Sequence, residues 1–193
     1  MTMVNYKIVI TGAYAAGKSQ FIRTVSEIDV VDTDVPVTHA EEKELKHHTT
    51  VGLDFGTLSI DAEQRLLLFG TPGQERFDFM WEILAEGCLG YIVLVDSCRP
   101  AHFNETIVVL ERFAEMTPVP FVVAATKQDL PGALPPMYIR RRLGLPTDIP
   151  ILACVATDYP SVSDVISTLL DRIDVLAQDS SSSSENNKEH SHG

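Results

Sequence analysis

An α/β domain with a six-stranded, mostly parallel sheet, one antiparallel edge strand and helices on both faces is the fold this sequence predicts. Three observations predict it. Leu66-Leu67-Leu68-Phe69, Tyr91-Ile92-Val93-Leu94-Val95 and Phe121-Val122-Val123-Ala124 are unbroken apolar runs, as strands are when helices cover both sheet faces. Segments with helical periodicity alternate with such runs along the chain. Asp61-Ala62-Glu63-Gln64 joins two strand-like stretches by a link short enough for an antiparallel hairpin.

The first strand, Tyr6–Thr11, leads into Gly12-Ala13-Tyr14-Ala15-Ala16-Gly17-Lys18-Ser19 and then a helix from Gln20 to Val25. Strand, loop and helix are the setting in which a G-x-x-x-x-G-K-[ST] pattern cradles phosphate. Its glycines let backbone N–H groups turn around phosphate oxygens, and the helix N-terminus adds its positive dipole end. Gly12, Ala15, Ala16, Gly17, Lys18, Ser19 and Gln20 are the expected contacts. Lys18 supplies a point charge to the β- and γ-phosphates, and the Ser19 hydroxyl is a ligand for Mg²⁺. The implied ligand is a nucleoside triphosphate.

The second and third strands are placed at Val51–Ile60 and Arg65–Phe69. Phe77, Phe79, Met80 and Trp81 then lead into a helix at Glu82–Glu86. Positions 77 and 81 share a helix face, so part of this set is core and the rest an exposed apolar patch. Strand Tyr91–Asp96, helix Phe103–Glu115, strand Phe121–Ala125, helix Pro136–Leu143 and strand Ile151–Val155 follow. The helix Ser161–Leu176 closes the domain with one apolar stripe of Val162, Val165, Ile166, Leu169, Ile173 and Leu176. Residues 1–177 read as one domain, and 178–193, rich in Ser and Asn, as a disordered polar tail.

Ligands of such sheets sit at the carboxyl ends of the strands. The fifth strand ends in Thr126-Lys127-Gln128-Asp129. A carboxylate at Asp129 accepts hydrogen bonds from guanine N1–H and its 2-amino group. Adenine offers neither donor and would leave the charge unpaired. Lys127 can lay its apolar stem over the base or brace the phosphate loop. After the sixth strand, Ala156 can offer its backbone N–H to the guanine carbonyl.

Composition narrows the partners. With 45% apolar residues and a mean hydropathy near zero, the chain is globular, and no apolar run is long enough to span a membrane. A net charge of −12 disfavours nucleic acid and repels anionic lipid. No lipidation signal is read, so no direct lipid anchor is expected. Cys88, Cys98 and Cys154 have no metal-clip spacing and read as buried free thiols of a reducing compartment, which points to the cytoplasm.

Over Tyr6 to about Leu176 the chain resembles the Ras-like small GTPases, whose G domain is a P-loop NTPase fold. Thr50-Val51-Gly52-Leu53-Asp54-Phe55 resembles the switch I segment of Rab and ADP-ribosylation-factor (Arf) proteins. The resemblance implies that Thr50 binds Mg²⁺ by its hydroxyl and the γ-phosphate through its backbone. Gly73-Gln74-Glu75-Arg76-Phe77 resembles switch II, which implies that Gly73 donates its N–H to the γ-phosphate and Gln74 orients the attacking water. Gln74 and Lys18 are thus the implied catalytic pair, and GTP and GDP the implied ligands. Val95-Asp96-Ser97 and Lys127-Gln128-Asp129-Leu130-Pro131 are Arf-like.

The chain departs from the family pattern in several places. Gly70-Thr71-Pro72-Gly73 puts glycine where the family has the Asp that helps hold Mg²⁺ through water. In this it resembles the bacterial polarity GTPases of the Mgl (gliding-motility) type and actinobacterial conservon-encoded GTP-binding proteins. Thr126 replaces an Asn, and the interval from Ser19 to Thr50 is longer than is usual. Tyr14 stands where Ras proteins need glycine for an arginine finger; packing against the long switch I is the favoured role for its ring. Switch I contains no arginine, so intrinsic hydrolysis is expected to be slow. The resemblance implies a GTP-hydrolysing molecular switch that signals to a protein effector and answers to a GTPase-activating or exchange partner. A GTP-binding scaffold with negligible hydrolysis is the alternative. An ATP-dependent kinase or transporter subunit is disfavoured by Asp129.

Overall fold

The computed structural model describes residues 3–32, 53–72 and 79–189. Its first strand, β1 (Val4–Gly12), is fully buried from Ile8 onward and forms the middle of the sheet. Around it lie β2 (Val31–Asp32), β3 (Asp54–Ser59), β4 (Gln64–Gly70), β5 (Gly90–Asp96), β6 (Phe121–Thr126) and β7 (Ile151–Ala153), in the order β2-β3-β4-β1-β5-β6-β7. Strands β4, β1, β5, β6 and β7 run parallel. Antiparallel pairing joins β3 to β4, with Asp54 opposite Gly70.

This is the predicted α/β fold, with one addition. The expected antiparallel edge strand, β3, is not the edge, because two residues of β2 pair antiparallel to it. An open strand edge presents unpaired backbone groups, and even a short segment satisfies some of them. No sequence signal marks so short a strand.

Helices α1 (Lys18–Val25) and α5 (Tyr159–Glu189) pack on one face, and α2 (Phe79–Ala85), α3 (Phe103–Met116) and α4 (Pro136–Leu143) on the other. Strand alternation sorts the apolar side chains between the two layers. Ile8, Ile10, Leu66, Leu68, Ile92 and Leu94 point to Phe21, Ile22, Val162, Val165 and Leu169. Val9, Tyr91, Val93, Val95 and Val123 point to Trp81, Phe103, Val109, Phe113 and Ile139. Both layers are buried and apolar, which is why the strands read as unbroken apolar runs.

The stripe on α5 holds as far as Ile173, whereas Leu176 is 42% exposed. The helix itself continues to Glu189, into the stretch that composition reads as a disordered tail. Extending an existing helix needs no new nucleus, so weak helix formers can follow a packed segment.

Candidate functional site

The sheet brings the sequence motifs to one rim because β1, β5, β6 and β7 all point their carboxyl ends the same way. Strand β1 ends at Gly12 with φ 141°, where an added Cβ would stand 2.3 Å from the Leu94 carbonyl oxygen. Only glycine fits that approach. The loop then turns through Ala15 at φ 59° and Gly17 at φ 101°, and α1 begins at Lys18. A left-handed alanine is strained, and such residues concentrate where a loop is shaped for a ligand.

Lys18 is buried, and its Nζ donates to the Gly12 and Ala13 carbonyls at 2.8 and 2.9 Å. The ammonium is therefore folded back inside the glycine-rich loop. Burial pulls its pKa down to about 8, against an opposing pull from the Asp54 charge. Tyr14 is 62% exposed, and the long segment against which its ring is expected to pack lies outside the described residues. A short loop whose neighbours turn inward leaves that side chain outside.

Thr126 binds the two ligand motifs together. It is buried at the end of β6, and its hydroxyl lies 2.9 Å from the Ala16 carbonyl of the phosphate loop and 3.0 Å from that of Val95. Lys127 and Asp129 follow directly, Asp129 exposed at the rim. Thr24 Oγ1 lies 2.6 Å from the Ala156 carbonyl, which brings the loop after β7 against α1. An added Cβ on Gly17 would touch Ala156 Cβ at 3.7 Å. Gln20 uses its side-chain amide on Thr24, at 3.1 Å. Gly12, Ala15, Ala16, Gly17, Lys18, Ser19, Gln20, Thr126, Lys127, Asp129 and Ala156 therefore belong to one rim. Thr50, Gly73, Gln74, Arg76 and Phe77 lie outside the described residues.

Sequence reasoning missed Asp54. Its carboxylate accepts a hydrogen bond from the Ser19 hydroxyl at 2.8 Å, and it is buried. It stands opposite Gly70 in the β3–β4 ladder. A Cβ on Gly70 would lie 3.0 Å from both Asp54 Cβ and Oδ2. The space beside Gly70 is thus filled by a carboxylate from the neighbouring strand. The available signal was the pairing of an inward Asp on one hairpin strand with a Gly on the other, which requires the register.

Among the described residues no group of three or more His, Cys, Asp or Glu could cage a metal ion. Mg²⁺ does not need one. It binds through one or two protein oxygens together with substrate phosphates and water, and the hydroxyl of Ser19 beside Asp54 fits that donor set.

Of the three cysteines, Cys88 and Cys154 are buried, and burial pushes both thiols up, Cys154 to about 11. Cys98 is only partly buried, contrary to expectation. None of the helices among the described residues is long and apolar enough to cross a membrane.

A phosphate loop at the centre of a doubly covered parallel sheet, tied to a second ligand motif on the next strand ends, defines a nucleotide-binding domain of the P-loop class. Residues 10–137 match the family described as conserved hypothetical ATP binding protein, and the chain belongs to that family. It is also similar to distant small GTPases. ADP-ribosylation factor-related protein 1 of Rattus norvegicus is 29% identical over 132 residues, covering 67% of this chain and 62% of the relative. ADP-ribosylation factor-like protein 4C of Homo sapiens is 29% identical over 147 residues, 74% of this chain and 71% of the relative. Ras-related protein Rab-32B of Dictyostelium discoideum is 27% identical over 135 residues, 65% and 47% respectively. The chain spans 62% of the length of the first of these relatives.

Proposed function

We propose that this protein is a guanine-nucleotide switch: it binds GTP, hydrolyses it slowly to GDP, and reports the difference to a protein partner. The observation that carries this reading is the Thr126 hydroxyl against the Ala16 carbonyl at 2.9 Å. It couples the phosphate loop to the segment bearing Asp129, so phosphate and base are read by one rigid rim. The family description names ATP; Asp129 is the residue that favours guanine for this chain, since adenine has no donor for it.

In the proposed mechanism the backbone N–H groups from Ala15 to Ser19 and the ammonium of Lys18 hold the phosphates. The Lys18 side chain leaves its carbonyl partners as phosphate oxygens replace them. Ser19 and Asp54 would hold Mg²⁺, Asp54 through water, and the ion would neutralise charge on the transferred phosphoryl group. Thr50 and Gly73 are proposed to grip the γ-phosphate and Gln74 to orient the attacking water. Loss of that phosphate would release both segments, which is how a partner tells the two states apart. The proposed unit is a G domain of residues 1–177 followed by a polar appendage, 178–193. It is proposed to act in the cytoplasm without nucleic acid or a lipid anchor of its own. Gly70-Thr71-Pro72-Gly73 supports a place among the bacterial Mgl-type and conservon-encoded proteins.

The exposed ring of Tyr14 favours a second reading, a GTP-binding scaffold with negligible hydrolysis, because a ring at that position obstructs an incoming arginine. Single-turnover hydrolysis of GTP separates the two. The switch reading predicts a slow but measurable rate, on the order of 10⁻⁴–10⁻² s⁻¹, that Gln74→Leu abolishes. A rate indistinguishable from that of free GTP supports the scaffold.

A further inference from the structure

Asp96 ends β5 with its side chain only 5% exposed. Its Oδ2 accepts from Lys127 Nζ at 2.5 Å and lies 3.6 Å from Arg99 Nε. Its Oδ1 accepts the Cys98 N–H at 2.9 Å. The carboxylate is therefore fixed from both sides, and Lys127 is its short partner.

Lys127 has φ 62°, a left-handed conformation that is strained for a non-glycine L-residue. The surroundings impose it. Gln128 N–H bonds the Cys154 carbonyl at 3.2 Å, and Leu130 N–H bonds that of Lys127 at 3.0 Å. The Gln128 side chain donates to Ser97 Oγ at 2.7 Å and to the Leu134 carbonyl at 2.9 Å. A strained residue so over-determined marks a functional geometry. The ion pair completes it by fixing the far end of the side chain.

We propose that Asp96 is a positioning residue of the guanine pocket: it anchors the Lys127 ammonium, so that the lysine's four-carbon stem stands as a preformed apolar wall for the nucleotide beside Asp129. A free lysine side chain gives up rotamer entropy when it is held in one position. Anchoring removes that cost before the nucleotide arrives, which tightens binding and slows release. Arg99 is half exposed and farther away, and serves as the lesser partner. This inference rests on the guanine reading above.

The test is a double-mutant cycle on the full chain, following release of a fluorescent GDP. Asp96→Asn keeps an oxygen for the Cys98 N–H but loses the ion pair. It should speed release about tenfold, and Lys127→Met by at least as much. Because Asp96 acts through the lysine, the double variant should release no faster than Lys127→Met alone. An equal acceleration in both backgrounds, or none from Asp96→Asn, overturns the proposal. A second readout needs no nucleotide: reductive methylation of Lys127, followed by mass spectrometry, should be faster in Asp96→Asn. Unchanged labelling contradicts the anchoring even if the protein binds no GDP, an outcome that would instead defeat the guanine reading. Should Asp96→Asn fail to fold, Lys127→Arg takes its place. It keeps a cation for Asp96 and should release GDP near the wild-type rate, and release as fast as in Lys127→Met overturns the proposal.

Discussion

Gly70 and Asp54 show how much a single position depends on its neighbour across the sheet. By sequence alone, Gly70→Asp would restore a missing carboxylate. The structure crowds that substitution, because the new Cβ would meet Asp54 at 3.0 Å and Ile22 Cδ1 at 3.1 Å. Crowding of this kind costs about 1–3 kcal/mol, and two adjacent carboxylates repel. Gly70→Asp should therefore lower the thermal midpoint, and Gly70→Asp with Asp54→Gly should recover most of the loss. A single variant as stable as wild type would mean that Asp54 does not fill that space. Chelation of Mg²⁺ should speed GDP release in the wild type and do so much less in Asp54→Ala. An equal response in both removes Asp54 from the metal site. The phosphate loop and Thr126–Asp129 were legible because each is contiguous and carries its chemistry within a few residues. Asp54 was not, because its role arises from cross-strand register.

At the scale of elements, α2 separates two roles that the sequence left mixed. Trp81 is buried and packs at a tilt against Phe113, with ring centroids 5.9 Å apart. It is core and not part of a partner surface, so Trp81→Ala should cost about 3–5 kcal/mol in denaturant unfolding. Phe79 and Ile83, one helical turn apart, are each 57% exposed and form the remaining patch. Ile83→Ala should change stability by no more than about 0.5 kcal/mol while weakening capture of any partner that reads the GTP state. A large stability loss in Ile83→Ala would place it in the core instead. The order of strands and helices was readable from alternating apolar runs. The two-residue β2 was not, since it exists only because β3 leaves an edge to pair. Nor was the length of α5, whose polar residues carry no helical signal of their own and continue a helix begun by others.

The whole molecule joins these scales through one rim of the sheet. Its net charge is −12, which disfavours contact with polyanions, and its fold places the glycine-rich loop and the proposed base-reading carboxylate of Asp129 at adjoining strand ends. The family match and the distant GTPase relatives support nucleotide binding; in the proposed reading the choice between guanine and adenine falls on Asp129. The most direct measurement is a competition titration of GTP against ATP on wild type and Asp129→Asn. Guanine should bind at least ~100-fold tighter than adenine, the scale of one charged hydrogen-bond pair. Asp129→Asn should shift preference toward xanthine nucleotides, whose 2-oxo group suits an amide donor. Equal affinity for GTP and ATP, or tighter ATP, would contradict the assignment.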